Sequence, residues 1–136
     1  MTTMNRTIYI TQPDMKRLRS LIDSMKSSRE DIKTLSAELE QAKVVAPADI
    51  PADVITMNSK AQVRDLNDNE LMTYTLVFPG KANVDEGMIS VLAPIGTAML
   101  GHRVGDEFEW HVPAGAIRLR VEKVLYQPEA SGHYNL

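Results

Sequence analysis

The spacing of apolar residues changes period partway along this chain, and that change limits what it can fold into. Met15, Leu18, Ile22 and Met25, then Ile32, Leu35, Leu39 and Ala42, recur in steps of three, four and three, the stripe of an amphipathic helix. From residue 60 onward the period is two. Ala61 and Val63 alternate with Lys60, Gln62 and Arg64, and Phe108, Trp110 and Val112 alternate with Glu107, Glu109 and His111, as in half-buried strands. Between the two regimes lie Pro47 and Pro51, a pair that no helix interior accepts. The chain is therefore read as an N-terminal strand and helical unit at 1–45, a linker at 46–53 and an α+β unit at 54–136.

Within the first unit, Thr7-Ile8-Tyr9-Ile10-Thr11 is β-branched and aromatic and reads as a short strand. Thr11, Pro13 and Asp14 then mark a helix start, and Ser27-Ser28-Arg29-Glu30-Asp31 offers a break and a second one. Two arms of about 14 residues, each about 21 Å long at the helical rise, make an antiparallel hairpin. Its stripe fits two arrangements: packing on a globular core, or a short projecting coiled coil with Arg29, Glu30 and Asp31 at its tip.

In the second unit, strands are expected over 60–66, 71–78, 88–92, 107–112 and 117–125, forming an antiparallel sheet with 71–78 at its centre. Pro94 suits a first helical turn and Gly101 the position just past a helix end, so 94–100 reads as one short helix.

Composition removes whole classes of function. There is no cysteine, which excludes disulfides, thiolate metal sites and cysteine nucleophiles. The net charge is −3, with seven basic against twelve acidic residues beyond position 43, so tight direct nucleic-acid binding is not expected. No apolar run approaches the roughly 20 residues of a membrane span, and the first residues carry no apolar segment of a secretory signal. A cytoplasmic protein is expected. His102, His111 and His133 have no metal-ligand spacing, and no glycine pattern for phosphate or nucleophile elbow occurs. No catalytic residue, metal or cofactor is assigned. Glu30 and Asp31 could offer oxygen ligands to a hard cation, or be ordinary acids at a helix N-terminus. Arg118 and Arg120 read as the wet side of an edge or half-exposed strand, or as a small basic patch.

One stretch carries a family signature. Ala93-Pro94-Ile95-Gly96-Thr97-Ala98-Met99-Leu100-Gly101-His102-Arg103-Val104-Gly105-Asp106, followed by Trp110 and Pro113-Ala114-Gly115, resembles the C-terminal domain of the bacterial Gre transcript cleavage factors. Val54-Ile55-Thr56-Met57-Asn58-Ser59 and Tyr126-Gln127-Pro128-Glu129-Ala130-Ser131-Gly132 resemble, within that family, the branch named for regulation of nucleoside diphosphate kinase. The resemblance implies a coiled-coil hairpin followed by an FKBP-like sheet domain with one short helix. It implies bacterial RNA polymerase as partner, with the sheet domain at the rim of the secondary channel and the hairpin directed into it.

Two departures modify those expectations. The arms are about half as long as in the cleavage factors, so a tip here should stop short of the catalytic metal. Where those factors carry Asp-Ser-Pro and grip the polymerase, this chain has Leu92-Ala93-Pro94. Contact is then expected through Leu92, Ala93, Pro94 and Ile95, with more apolar character. The expected function is a transcription regulator that competes with other secondary-channel factors without stimulating cleavage. The alternatives are a peptidyl-prolyl isomerase, suggested by the FKBP-like sheet but short of aromatic residues, and a protein acting directly on nucleoside diphosphate kinase.

Overall fold

Thr11 caps the first helix: the Asp14 backbone N–H donates to its hydroxyl at 3.3 Å, which fixes where the opening strand becomes helix. A computed structural model describes residues 8–25, 30–112 and 115–132, with side chains at 30, 31, 34 and 110–112 outside the described set. Strand β1 (Tyr9–Thr11) leads directly into α1 (Gln12–Met25); α2 (Glu30–Gln41) returns to β2 (Lys43–Val45). β1 and β2 pair in parallel, Tyr9 opposite Lys43, so the start of α1 and the end of α2 are tied side by side. β2 was not anticipated: Val44-Val45 is β-branched, but a three-residue strand against a helix end leaves little pattern.

The remaining elements are β3 (Lys60–Asp65), β4 (Leu71–Val77), β5 (Met88–Ser90), α3 (Pro94–Met99), β6 (Glu107–Val112) and β7 (Gly115–Tyr126). β3 to β7 form one sheet in the order β5-β4-β3-β7-β6. Two expectations are corrected. The sheet is mixed: β5 runs parallel to β4, Leu76 opposite Ile89, while the other pairings are antiparallel. And β3, rather than 71–78, is central. The connection from 78 to 87 folds through two 3-10 turns, Pro79–Lys81 and Val84–Glu86, and so enters β5 in the same direction as β4.

The helix pair is not set apart from the sheet. Leu18, Leu35 and Leu39 are buried in the same apolar cluster as Ile55, Met57, Leu76, Met99, Leu119 and Val121. Toward the far end Leu21, Ile22 and Met25 are half-buried, while Ile32 stays in the buried cluster. The stripe thus packs into a common core with the sheet. Further ties cross the same boundary. Tyr9 N–H donates to Gly101 O at 3.1 Å, and the Arg17 guanidinium lies 4.5 Å above the Phe78 ring.

Residues 46–53 are fastened too. Ile50 is buried, Asp53 pairs with Arg103 at 3.0 Å, and the Gln127 amide donates to Pro51 O at 2.7 Å and Val54 O at 2.8 Å. Among the described residues no helix is long and apolar enough to cross a membrane. The breaks read at Ser27-Ser28-Arg29 and Pro113-Ala114, together with Thr7 and His133, lie outside the described residues.

Candidate functional site

The stretch with the strongest sequence signature folds into a turn and a helix fastened by hydrogen bonds and close packing. Leaving β5, Leu92 N–H donates to the Ser90 hydroxyl at 3.0 Å and Ala93 N–H to Ser90 O at 3.0 Å. Ala93 then occupies the N-cap position in extended conformation and Pro94 opens α3. Thr97 fixes the turn from inside, its hydroxyl donating to Val91 O and its N–H to Ala93 O. Gly96 lets α3 lie directly on the strand end, since a Cβ there would stand 2.0 Å from Ser90 O. Gly101, at φ +80°, closes the helix against β1.

This geometry sorts the four expected contact residues. Leu92 and Ile95 are 8% and 5% exposed and belong to the core. Their side chains therefore face inward, and the outward apolar contact read for them from the sequence is corrected. A turn that buries Leu92 and Ile95 presents Pro94, which is exposed, and Ala93, which is half-buried. Of the hairpin tip, Arg29 lies outside the described residues, and Glu30 and Asp31 are described only as the first backbone positions of α2. Among the described residues no group of three or more acids and histidines is placed to hold a metal. His102 stacks on Phe108 at 4.7 Å between ring centroids. Arg118 and Arg120 are on an interior strand of the sheet, paired with Glu107 and Glu122.

The two other signature stretches, far apart in sequence, meet. Thr56 donates its hydroxyl to Glu129 at 2.8 Å, so the Ser59 hydroxyl, 2.8 Å away, donates to Thr56. Asp14 of α1 reaches the same place, its carboxylate accepting from Met57 N–H at 3.1 Å. Sequence reading took Asp14 as a first-turn acid; its burial depends on a loop 43 positions away and left no local signal. Burial raises its carboxyl from the ordinary value to about 6, against the pull of the Met57 N–H and with the negative charge of Glu129 adding to the rise. A carboxyl raised on folding favours the folded state when protonated. Its contribution is complete below about pH 4 and is lost as pH rises through about 6, roughly 3 kcal/mol in all. Asn keeps an acceptor for Met57 and carries no charge. Asp14→Asn is therefore expected to match the wild type in urea unfolding near pH 4 and exceed it by roughly 1–3 kcal/mol at about pH 8. A variant less stable at both values would contradict that.

The chain has relatives among known proteins. Residues 50–126 match the family model "Transcription elongation factor, GreA/GreB, C-term", and residues 6–45 match "Rnk N-terminus". The regulator of nucleoside diphosphate kinase of Escherichia coli (strain K12) is 42% identical over 132 residues, covering 96% of this chain and 97% of that one. GreA of Syntrophotalea carbinolica is 33% identical over 95 residues, covering 70% of this chain and 60% of that longer one. A solved structure of a GreA/GreB transcription elongation factor from Nitrosomonas europaea superposes with a TM-score of 0.75 at 39% identity, over 90% of this chain and 100% of that one. These matches place the chain in the GreA/GreB class of transcription-related regulators. Within that class, the chain belongs to the Rnk family.

Proposed function

We propose that this protein binds bacterial RNA polymerase near the secondary channel, competes there with Gre-type factors, and does not stimulate transcript cleavage. The observation that carries this is the hydrogen-bonded turn before α3. It holds Pro94 outward at the position where, by resemblance, the cleavage factors grip the polymerase. The contact is made by Pro94 and the exposed part of Ala93, while Leu92 and Ile95 set the turn from beneath.

The absence of cleavage stimulation follows from reach. As an antiparallel coiled coil, α1 and α2 extend about 21 and 18 Å at the helical rise. The GreA relative, of which this chain matches 60%, is the longer protein. Glu30 and Asp31 at the shorter tip stop before the catalytic metal. The check is RNA 3′-end cleavage in arrested polymerase complexes, with a Gre factor as positive control. The expected rate is that of polymerase alone; acceleration that disappears in Glu30→Ala, Asp31→Ala would contradict the reading.

The sheet with its short helix is read as FKBP-like but without isomerase activity, since only 5% of residues are aromatic and such pockets are built from rings. Cytoplasmic location follows from the proposed partner. The name of the Escherichia coli relative favours one second reading, direct contact with nucleoside diphosphate kinase. Co-elution of the two purified proteins would support it.

A further inference from the structure

One face of the five-stranded sheet packs on the core through Ala61, Val63, Leu76, Leu119 and Val121. The registers fix what the other face carries. Arg64 lies opposite Arg120, Gln62 opposite Lys123, Glu107 opposite Arg120, and Glu109 opposite Arg118. An irregularity in β7 facing Gln62 and Val63 brings Glu122 and Lys123 to this face together. The face thus holds five cations, Lys60, Arg64, Arg118, Arg120 and Lys123, against Glu107, Glu109 and Glu122, on a protein whose net charge is −3.

The charges are organised. Arg120 pairs with Glu122 at 2.8 Å and approaches Glu107 at 3.9 Å; Arg64 pairs with Glu122 at 3.3 Å, and Arg118 with Glu107 at 3.7 Å. Lys60 and Lys123 are exposed and make no ion pair among the described residues. They stand diagonally across β3 and β7, beside the uncharged Gln62 and Thr75.

We propose that this open face is a second contact surface and that it takes an acidic protein segment. The inference rests on the polymerase reading above and names the segment as one of the polymerase's own. Three features favour carboxylates over a nucleic-acid strand. The guanidinium groups already pair with carboxylates in place, which shows a geometry suited to them. A continuous phosphate track would run across Glu107 and Glu122 and be repelled. The two unengaged cations are lysines flanked by hydroxyl and amide groups, fitting isolated side-chain carboxylates.

The test is binding of the full chain to core RNA polymerase at two salt concentrations. Lys60→Glu, Lys123→Glu is compared with Lys60→Gln, Lys123→Gln, and thermal unfolding confirms each fold. The reversal is expected to weaken binding roughly tenfold and the neutral pair less, both with a flatter salt dependence than the wild type. Wild-type affinity in the reversal variant would overturn this surface and leave the Pro94 contact standing. Failure of the wild type itself to bind would remove the polymerase reading and this surface with it. A single-stranded oligonucleotide bound by the isolated chain through the same lysines would also overturn it.

Discussion

Gly96→Ala is expected to destabilise the protein by about 3 kcal/mol or more, a large share of the roughly 5–15 kcal/mol that holds an ordinary domain together. The added Cβ would meet Ser90 O at 2.0 Å, its carbonyl carbon at 2.9 Å and Val91 Cα at 3.1 Å. All three are backbone atoms. Ser90 is in register with Val77 at the end of β5, so it cannot retreat without disturbing that pairing. The helix must move instead, and Ile95 and Met99 leave the core with it. A urea midpoint equal to that of the wild type would show that α3 is not seated on the strand end. Gly101→Ala should act the same way, because its Cβ would lie 2.6 Å from Ile8 Cβ at a φ of +80°.

The second large effect concerns binding. Pro94→Lys is expected to weaken polymerase binding roughly thirtyfold or more, the loss typical of a central contact residue. Lysine removes the rigid apolar contact. It also places a cation where the cleavage factors carry an Asp nearby, so the facing surface should repel it. Pro94 is exposed, so the fold should survive, with a thermal midpoint close to the wild type. Ile95 is unsuitable for the same test: it is 5% exposed, and a charge there would damage the core before it reported on docking. Unchanged affinity for Pro94→Lys would move the contact elsewhere on the molecule.

The elements were legible where a single period ran long enough. The stripe from Met15 to Ala42 gave both helices, and the alternation at Phe108 and Trp110 gave β6. Pro94 and Gly101 bracketed α3 to within a residue. Direction and facing were less legible. Nothing in the residues between β4 and β5 distinguishes a hairpin from a short parallel return, because strand patterning carries no sense of direction. Leu92 and Ile95 read as contact residues from their place in the family signature, and a turn has no period from which to tell inside from outside. Gly101 reads as the helix end; Gly96 is missed by that reading, although a glycine inside a short helix is a signal that close packing explains. The meeting of Asp14, Thr56 and Glu129 was beyond sequence reading. It depends on the chain bringing three distant segments to one place.

The most direct test of the account is a competition titration. Labelled protein is bound to core RNA polymerase and a Gre factor is added stepwise. Label is expected to be released as the Gre factor binds, with a midpoint that scales with the amount of labelled protein, as shared occupancy of one site requires. Binding that persists at saturating Gre factor would place the protein elsewhere on the polymerase and contradict the proposed competition.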